Sequence, residues 1–115
     1  MSEKCLNTFV NEVKLQMEVN KQLGFLKQQT ENIDLEILLL LKRRFQTQKR
    51  IFDAQFKNNL ELTTQENDLD TMDLVMKRAR EMEISEQVMH ELYSKILDHT
   101  EDLKQDFLTS KNKDK

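Results

Sequence analysis

Apolar residues recur near the start of the chain at helical steps. Leu6, Val10, Val13 and Met17 follow one another at four, three and four residues, which sets them on one side of a helix. The stripe fades through Glu18 to Gln22, near the lone glycine. It resumes at Leu26 and continues through Ile33, Ile37 and Leu40, then Arg44, Ile51 and Ala54, with no breaker before Asn58-Asn59. With Gly24 tolerated inside it, this pattern predicts a first helix on the order of 55 residues, about 80 Å long at 1.5 Å per residue. Few monomers keep such a rod, whereas dimers do.

A second helix has a legible start, because Thr63 and Glu66 have the spacing of a capping box. Leu69, Met72, Val75, Met76 and Ala79 supply its apolar face. A short turn is expected from Glu81 to Ser85. Ser85 then caps a third helix, with Ile84 and Met89 placed as a hydrophobic staple around it. The inner stripe of that helix reads Met89, Leu92, Tyr93, Ile96, Leu97, Leu103 and Phe107. Residues 109–115 are polar and read as a disordered tail.

Composition sharpens this picture. The chain has 115 residues, one glycine and no proline, which leaves no material for phosphate-cradling loops, dinucleotide fingerprints or strand-turn-helix elbows. Any chemistry must come from side chains projecting between helices. At 37% hydrophobic residues, a solitary monomer would struggle to cover its apolar stripes, so a homodimer is expected. The net charge of −3, with both signs interspersed, argues against a nucleic-acid or anionic-membrane partner, and Lys42-Arg43-Arg44 and Lys77-Arg78 read as clusters diluted by nearby acids. Cys5 is the only cysteine, so no intrachain disulfide forms. The longest apolar run, Ile37 to Leu41, is too short for a membrane span, and a cytoplasmic location is the expectation.

Polar residues interrupt the stripes at regular places. Arg44, Gln48 and Gln55 stand on a line otherwise held by Ile37, Leu40 and Ile51, and Thr100 and Lys104 align one turn apart on the third helix. Polar groups on an inner face suggest a wet or ligand-filled interior. The alternative is that their long side chains snorkel and mark the edges of a narrow seam. His90 and His99 share no face and lack companion ligands, so no metal site is expected. No other cofactor is expected either. Asp98, Glu101 and Asp102 beside Lys104 read as a solvated acidic patch with weak local ion pairs.

Leu23-Gly24-Phe25-Leu26-Lys27, Asn32-Ile33-Asp34 and Ile37 to Arg44 together resemble the first-helix signature of the all-helical chorismate mutases and the related isochorismate-pyruvate lyases. The likeness runs from about Leu23 to Phe107 without a gap. It implies an all-α, three-helix chorismate-mutase-like fold with a long first helix in an intertwined homodimer, over residues 23–108, with residues 1–22 as a helical N-terminal extension. The resemblance puts Arg44 where the family grips a substrate carboxylate, and Lys27 where the partner subunit's arginine would reach across. Gln55 replaces a family lysine that donates to the ether oxygen. Asn67 and Asp68 replace an arginine and a glutamate, Thr100 keeps a family hydroxyl, and Lys104 replaces a glutamine.

Two functions follow as expectations. One is an isomerase or related lyase acting on a chorismate-type organic dianion, with Arg44, Gln55 and Lys104 as catalytic residues and Lys27, Asp68 and Thr100 binding substrate. That rearrangement needs no nucleophile or metal; it needs a dianion held folded, with donors aimed at the ether oxygen. On this reading Gln55 and Lys104 are a swapped pair, one amide and one cation exchanged between the first and third helices. Lys104 pointing to solvent beside Glu101 and Asp102 is the plainer alternative. The other function is a non-catalytic helical interaction protein, a small chaperone or scaffold subunit that holds a partner helix, with residues 2–22 packing on the dimer or recruiting that protein partner.

Overall fold

In a computed structural model the protein is described over residues 3–113, except for the side chains of residues 65–67 and 113. Three helices follow in order: α1 at Glu3–Lys57, α2 at Gln65–Glu81 and α3 at Glu86–Lys113. No strand occurs among the described residues. The 55-residue α1 has the length predicted for one helix that carries both stripes and tolerates Gly24. It runs through residue 22 without a break, and Gly24 sits inside it with nothing within 4 Å of where a Cβ would stand. That glycine therefore serves no close approach within this chain.

Helix ends in a chain with so little glycine need another device. After α1, Leu60 N–H donates to Gln55 C=O at 2.8 Å and Asn59 N–H to Phe56 C=O at 3.1 Å, while Asn59 has φ 56°. This is a Schellman closure with asparagine in the left-handed position. The end of α2 repeats it: Ile84 N–H donates to Ala79 C=O at 2.9 Å and Glu83 N–H to Arg80 C=O at 3.3 Å, with Glu83 at φ 58°. Arg80 Nε then reaches Glu86 Oε1 at 2.6 Å and pins the turn into α3. Ser85 caps α3 as its sequence position implies, its Oγ accepting from Val88 N–H at 3.3 Å.

The start of α2 departs from the sequence reading. The cap residue is Thr64, one position after Thr63, and its side chain makes no capping bond because its hydroxyl donates to Glu101 across the bundle. The side chains of Glu66 and Asn67 lie outside the described residues. The tail expected from Thr109 onward is helical as far as Lys113, and Thr109 Oγ1 donates to Gln105 C=O at 2.9 Å.

The chain divides into two compact units between Lys42 and Arg43, within α1. In the first, every described residue up to Leu40 is exposed. At 100° per residue, the stripe Leu6, Val10, Val13, Met17 lies roughly 180° around the helix from the stripe Leu26, Ile33, Ile37, Leu40. The second stripe is therefore not a continuation of the first: the polar segment Glu18 to Gln22 shifts the pattern to nearly the opposite side. From Leu35 to Leu40 the helix is apolar almost all round and still exposed, with Leu38 and Leu39 at 62% and 61%, a pattern proper to a helix buried on several sides.

The second unit holds the core. Phe52 from α1, Leu62 from the connecting segment, Ala79 from α2, and Ile96 and Leu97 from α3 are buried, and so are Thr64 and Thr100. The Phe52 and Phe56 rings stand 6.2 and 5.8 Å from that of Phe107, and Phe45 meets His99 edge-on at 4.7 Å. These contacts set the end of α1 alongside α3. Leu69, expected on the apolar face of α2, is 70% exposed, whereas Ala79 on the same helix is 4% exposed. At 100° per residue Leu69 stands about 80° around α2 from Ala79, at the edge of the face that meets the core.

Candidate functional site

Where α1, α2 and α3 meet, the second unit buries polar side chains beside apolar ones. Thr100 is 1% exposed. Its hydroxyl donates to Ile96 C=O at 3.0 Å, one turn earlier on α3, so its lone pairs face outward from that bond. Arg44 Nη1 donates to that oxygen at 3.1 Å. One of the guanidinium's five N–H groups is thus tied to α3, which aims the fork and leaves its other donors for a bidentate carboxylate. A four-residue step on α3 and a half-buried arginine on α1 suffice to build this anchor.

Carboxylates stand close to that cation. On the first turn of α2, burial pushes the Asp68 carboxyl above the usual aspartate range; Glu101 and Asp98 push the same way and Arg44 opposes them. Glu101 is held below the ordinary glutamate range, first by the hydroxyl of Thr64, against some desolvation, and further by Gln105 and Lys104. Gln105 Nε2 donates to Glu101 Oε1 at 3.2 Å, and Lys104 Nζ lies 3.9 Å from the same oxygen. The Lys104 side chain is only 22% exposed. It neither points freely to solvent nor stands uncompensated.

Of the six residues read from the sequence, the structure joins Arg44 and Thr100 directly and sets Asp68 within electrostatic reach of Arg44. Lys104 belongs to the Glu101 network. Gln55 has a buried Oε1 that accepts no hydrogen bond among the described residues, and no hydrogen bond links it to Lys104. Lys27 is exposed in the first unit. Two participants were missed. Thr64 was hidden beside Thr63, which has the better capping spacing, and Glu101 was absorbed into an acidic patch that reads as solvated. The sequence signal for Glu101 was its place one turn from both Lys104 and Gln105 on α3.

The arrangement can hold an anion by one anchored guanidinium and present acceptors to donors on the same ligand. Its formal charges, Arg44 and Lys104 against Asp68 and Glu101, balance. No set of three or more His, Cys, Asp or Glu side chains is placed to hold a metal ion among the described residues. No described helix is long and apolar enough to cross a membrane.

Comparison with known proteins agrees with this geometry at the level of the family. The sequence profile of the chorismate mutase type II family matches residues 26–105, nearly the stretch over which the resemblance was traced and the part of the chain that contains every helix junction just described. No curated protein and no solved structure matches the chain. The profile covers well over half of the sequence and the fold is entirely helical, and the chain belongs to the chorismate mutase type II family.

Proposed function

We propose that the cleft between α1, α2 and α3 binds a chorismate-type organic dianion, and that in an intertwined cytoplasmic homodimer it isomerises that ligand or cleaves it as the related lyases do. The observation that supports this reading is the Arg44–Thr100 bond at 3.1 Å, which restrains the guanidinium that the resemblance assigns to a substrate carboxylate. Restraining both ends of a flexible dianion converts much of the entropic barrier of a unimolecular rearrangement into binding. The second carboxylate falls to Lys27 of the other subunit. Donors near the ether oxygen stabilise charge that develops as its bond breaks. Lys104 is the available cation, and its pairing with Glu101 tempers that role; an amide N–H of Gln55 is the second donor.

Purified protein incubated with chorismate and with isochorismate, with substrate loss followed by absorbance, tests this directly. Consumption that Arg44→Ala abolishes supports it, and consumption of neither substrate removes the catalytic reading. A second reading, a helical interaction protein, is favoured by the exposed stripe Leu6, Val10, Val13 and Met17 on α1. That stripe lies outside the family match and calls for a cover, whether the dimer or a partner helix.

A further inference from the structure

The end of α1 is far more basic than the rest of the chain. From residue 42 to 57 stand Lys42, Arg43, Arg44, Lys49, Arg50 and Lys57 against a single acid, Asp53, in a protein of net charge −3. The acids nearest Lys42-Arg43-Arg44, Asp34 and Glu36, precede this stretch. Arg44 turns inward to Thr100. Lys49, Arg50 and Lys57 occupy another side of the helix, where they border a groove of about 780 Å³ between α1 and α3.

The floor of that groove is apolar and well supported. It is formed by Ala54, Leu103 and Phe107, and the Phe107 ring is backed by Phe52 and Phe56. Lys111 Nζ lies 5.3 Å from the centre of the same ring but does not line the groove. Two carboxylates oppose the three cations that line it. Asp53 is bound to Lys57 at 2.9 Å, and that hydrogen bond is the main cause holding its carboxyl below the usual aspartate range. Asp106 is the other. Among the described residues, neither Lys49 nor Arg50 is in an ion pair. The groove is therefore net positive at the Lys49–Arg50 end and apolar beneath.

A concave site of this volume, apolar with a few convergent charges, has the make-up of a small-ligand pocket. None of the six residues assigned to the family cleft lines it. We propose that it is a second ligand site, separate from the family cleft, which takes a small amphipathic organic anion: a flat ring system lies on Leu103 and Phe107, and its carboxylate or sulfonate is held by Lys49 and Arg50. An anion gains charge-assisted hydrogen bonds there without displacing an existing partner. The ring gains from burial on a floor that needs no rearrangement to receive it.

The probe is 8-anilinonaphthalene-1-sulfonate added to the full chain, with binding followed residue by residue through amide chemical shifts. Because the exposed stripes of the first unit also attract such a probe, position decides. Saturable shifts should cluster at residues 49–58 and 103–110. Lys49→Gln with Arg50→Gln, both at exposed positions, should weaken that set roughly tenfold or more by removing two charge-assisted contacts. The control Lys77→Gln with Lys95→Gln should leave it unchanged. Shifts confined to residues 3–40 would overturn the proposal, as would a groove affinity indifferent to the Lys49 and Arg50 substitutions. Groove shifts that follow protein concentration rather than probe would assign the groove to a second copy and equally overturn it. Each outcome stands apart from turnover of chorismate.

Discussion

Thr100→Val removes one oxygen from the most buried polar position of the bundle and nearly preserves its shape. Two interactions go with it: the hydroxyl's bond to Ile96 C=O and the acceptor for Arg44 Nη1. A hydrogen bond to a charged group contributes about 1.5–3 kcal/mol net. Arg44 is only half-buried and can turn partly to water, which puts its loss at the low end. Ile96 C=O keeps its backbone helix partner, and valine gains slightly from burial. The expected cost is about 1–2 kcal/mol. Thr100→Ser, which keeps the oxygen and loses a methyl group, should cost less than about 1 kcal/mol. Urea unfolding at one fixed protein concentration reads the difference, provided the slope of the transition is unchanged. A cycle with Arg44→Met should give a coupling of about 1 kcal/mol. Additivity of the two substitutions within about 0.3 kcal/mol would refute the anchor.

Glu83 holds a left-handed conformation at the end of α2, so Glu83→Gly should stabilise the protein by about 1 kcal/mol in the same unfolding assay; destabilisation would contradict the closure described. Gly24→Ala should also stabilise, by about 0.5–1 kcal/mol, because nothing in the chain approaches that position; a loss would reveal a close neighbour from a second molecule. Burial raises the Asp68 carboxyl above its usual value of 3.8, so its ionised form costs stability above the folded-state pKa, and that cost fades as pH falls through the folded-state pKa and is gone below 3.8. Asp68→Asn should therefore stabilise at neutral pH and lose its advantage on acidification; a gain independent of pH would contradict the assignment. Glu101 is shifted the other way, and its contribution, present above the unfolded value of 4.5, is lost as pH falls through the folded one. Glu101→Gln should consequently flatten the acid limb of the stability profile, and an unaltered limb would contradict it. Sedimentation should find a homodimer at micromolar concentration, whereas a folded monomer would remove the shared-cleft reading.

Periodicity made the helices legible, because breakers are almost absent and the apolar spacing is unambiguous over long windows. Asn58-Asn59 and Ser85 marked boundaries through residue types with a mechanism, the first favouring a left-handed residue and the second a cap. The turn from Glu81 to Ser85 was legible, but the left-handed conformation of Glu83 within it was not, since glutamate has no local preference for positive φ. Thr64 illustrates competition from tertiary contacts: a tertiary carboxylate captured its hydroxyl, and the capping spacing of Thr63 misled. Arg44 and Thr100 were legible as polar interruptions of apolar stripes. The Glu101 network was not, because an acid one turn from a lysine looks like surface, and the Thr64 hydroxyl that donates to it comes from a distant part of the chain. The phase shift between the two α1 stripes was present in the spacing but masked by the polar residues between them.

If Arg44, anchored on Thr100, grips one carboxylate of a folded dianion, a rigid bicyclic dicarboxylate shaped like the folded transition state must bind the cleft more tightly than chorismate does. Calorimetric titration of that compound into the wild-type protein and into Arg44→Ala measures this without requiring turnover. Saturable binding that Arg44→Ala weakens roughly 30-fold or more is the predicted result, as for truncation of one partner in a buried charge pair. No binding, or equal affinity in the two proteins, would contradict it.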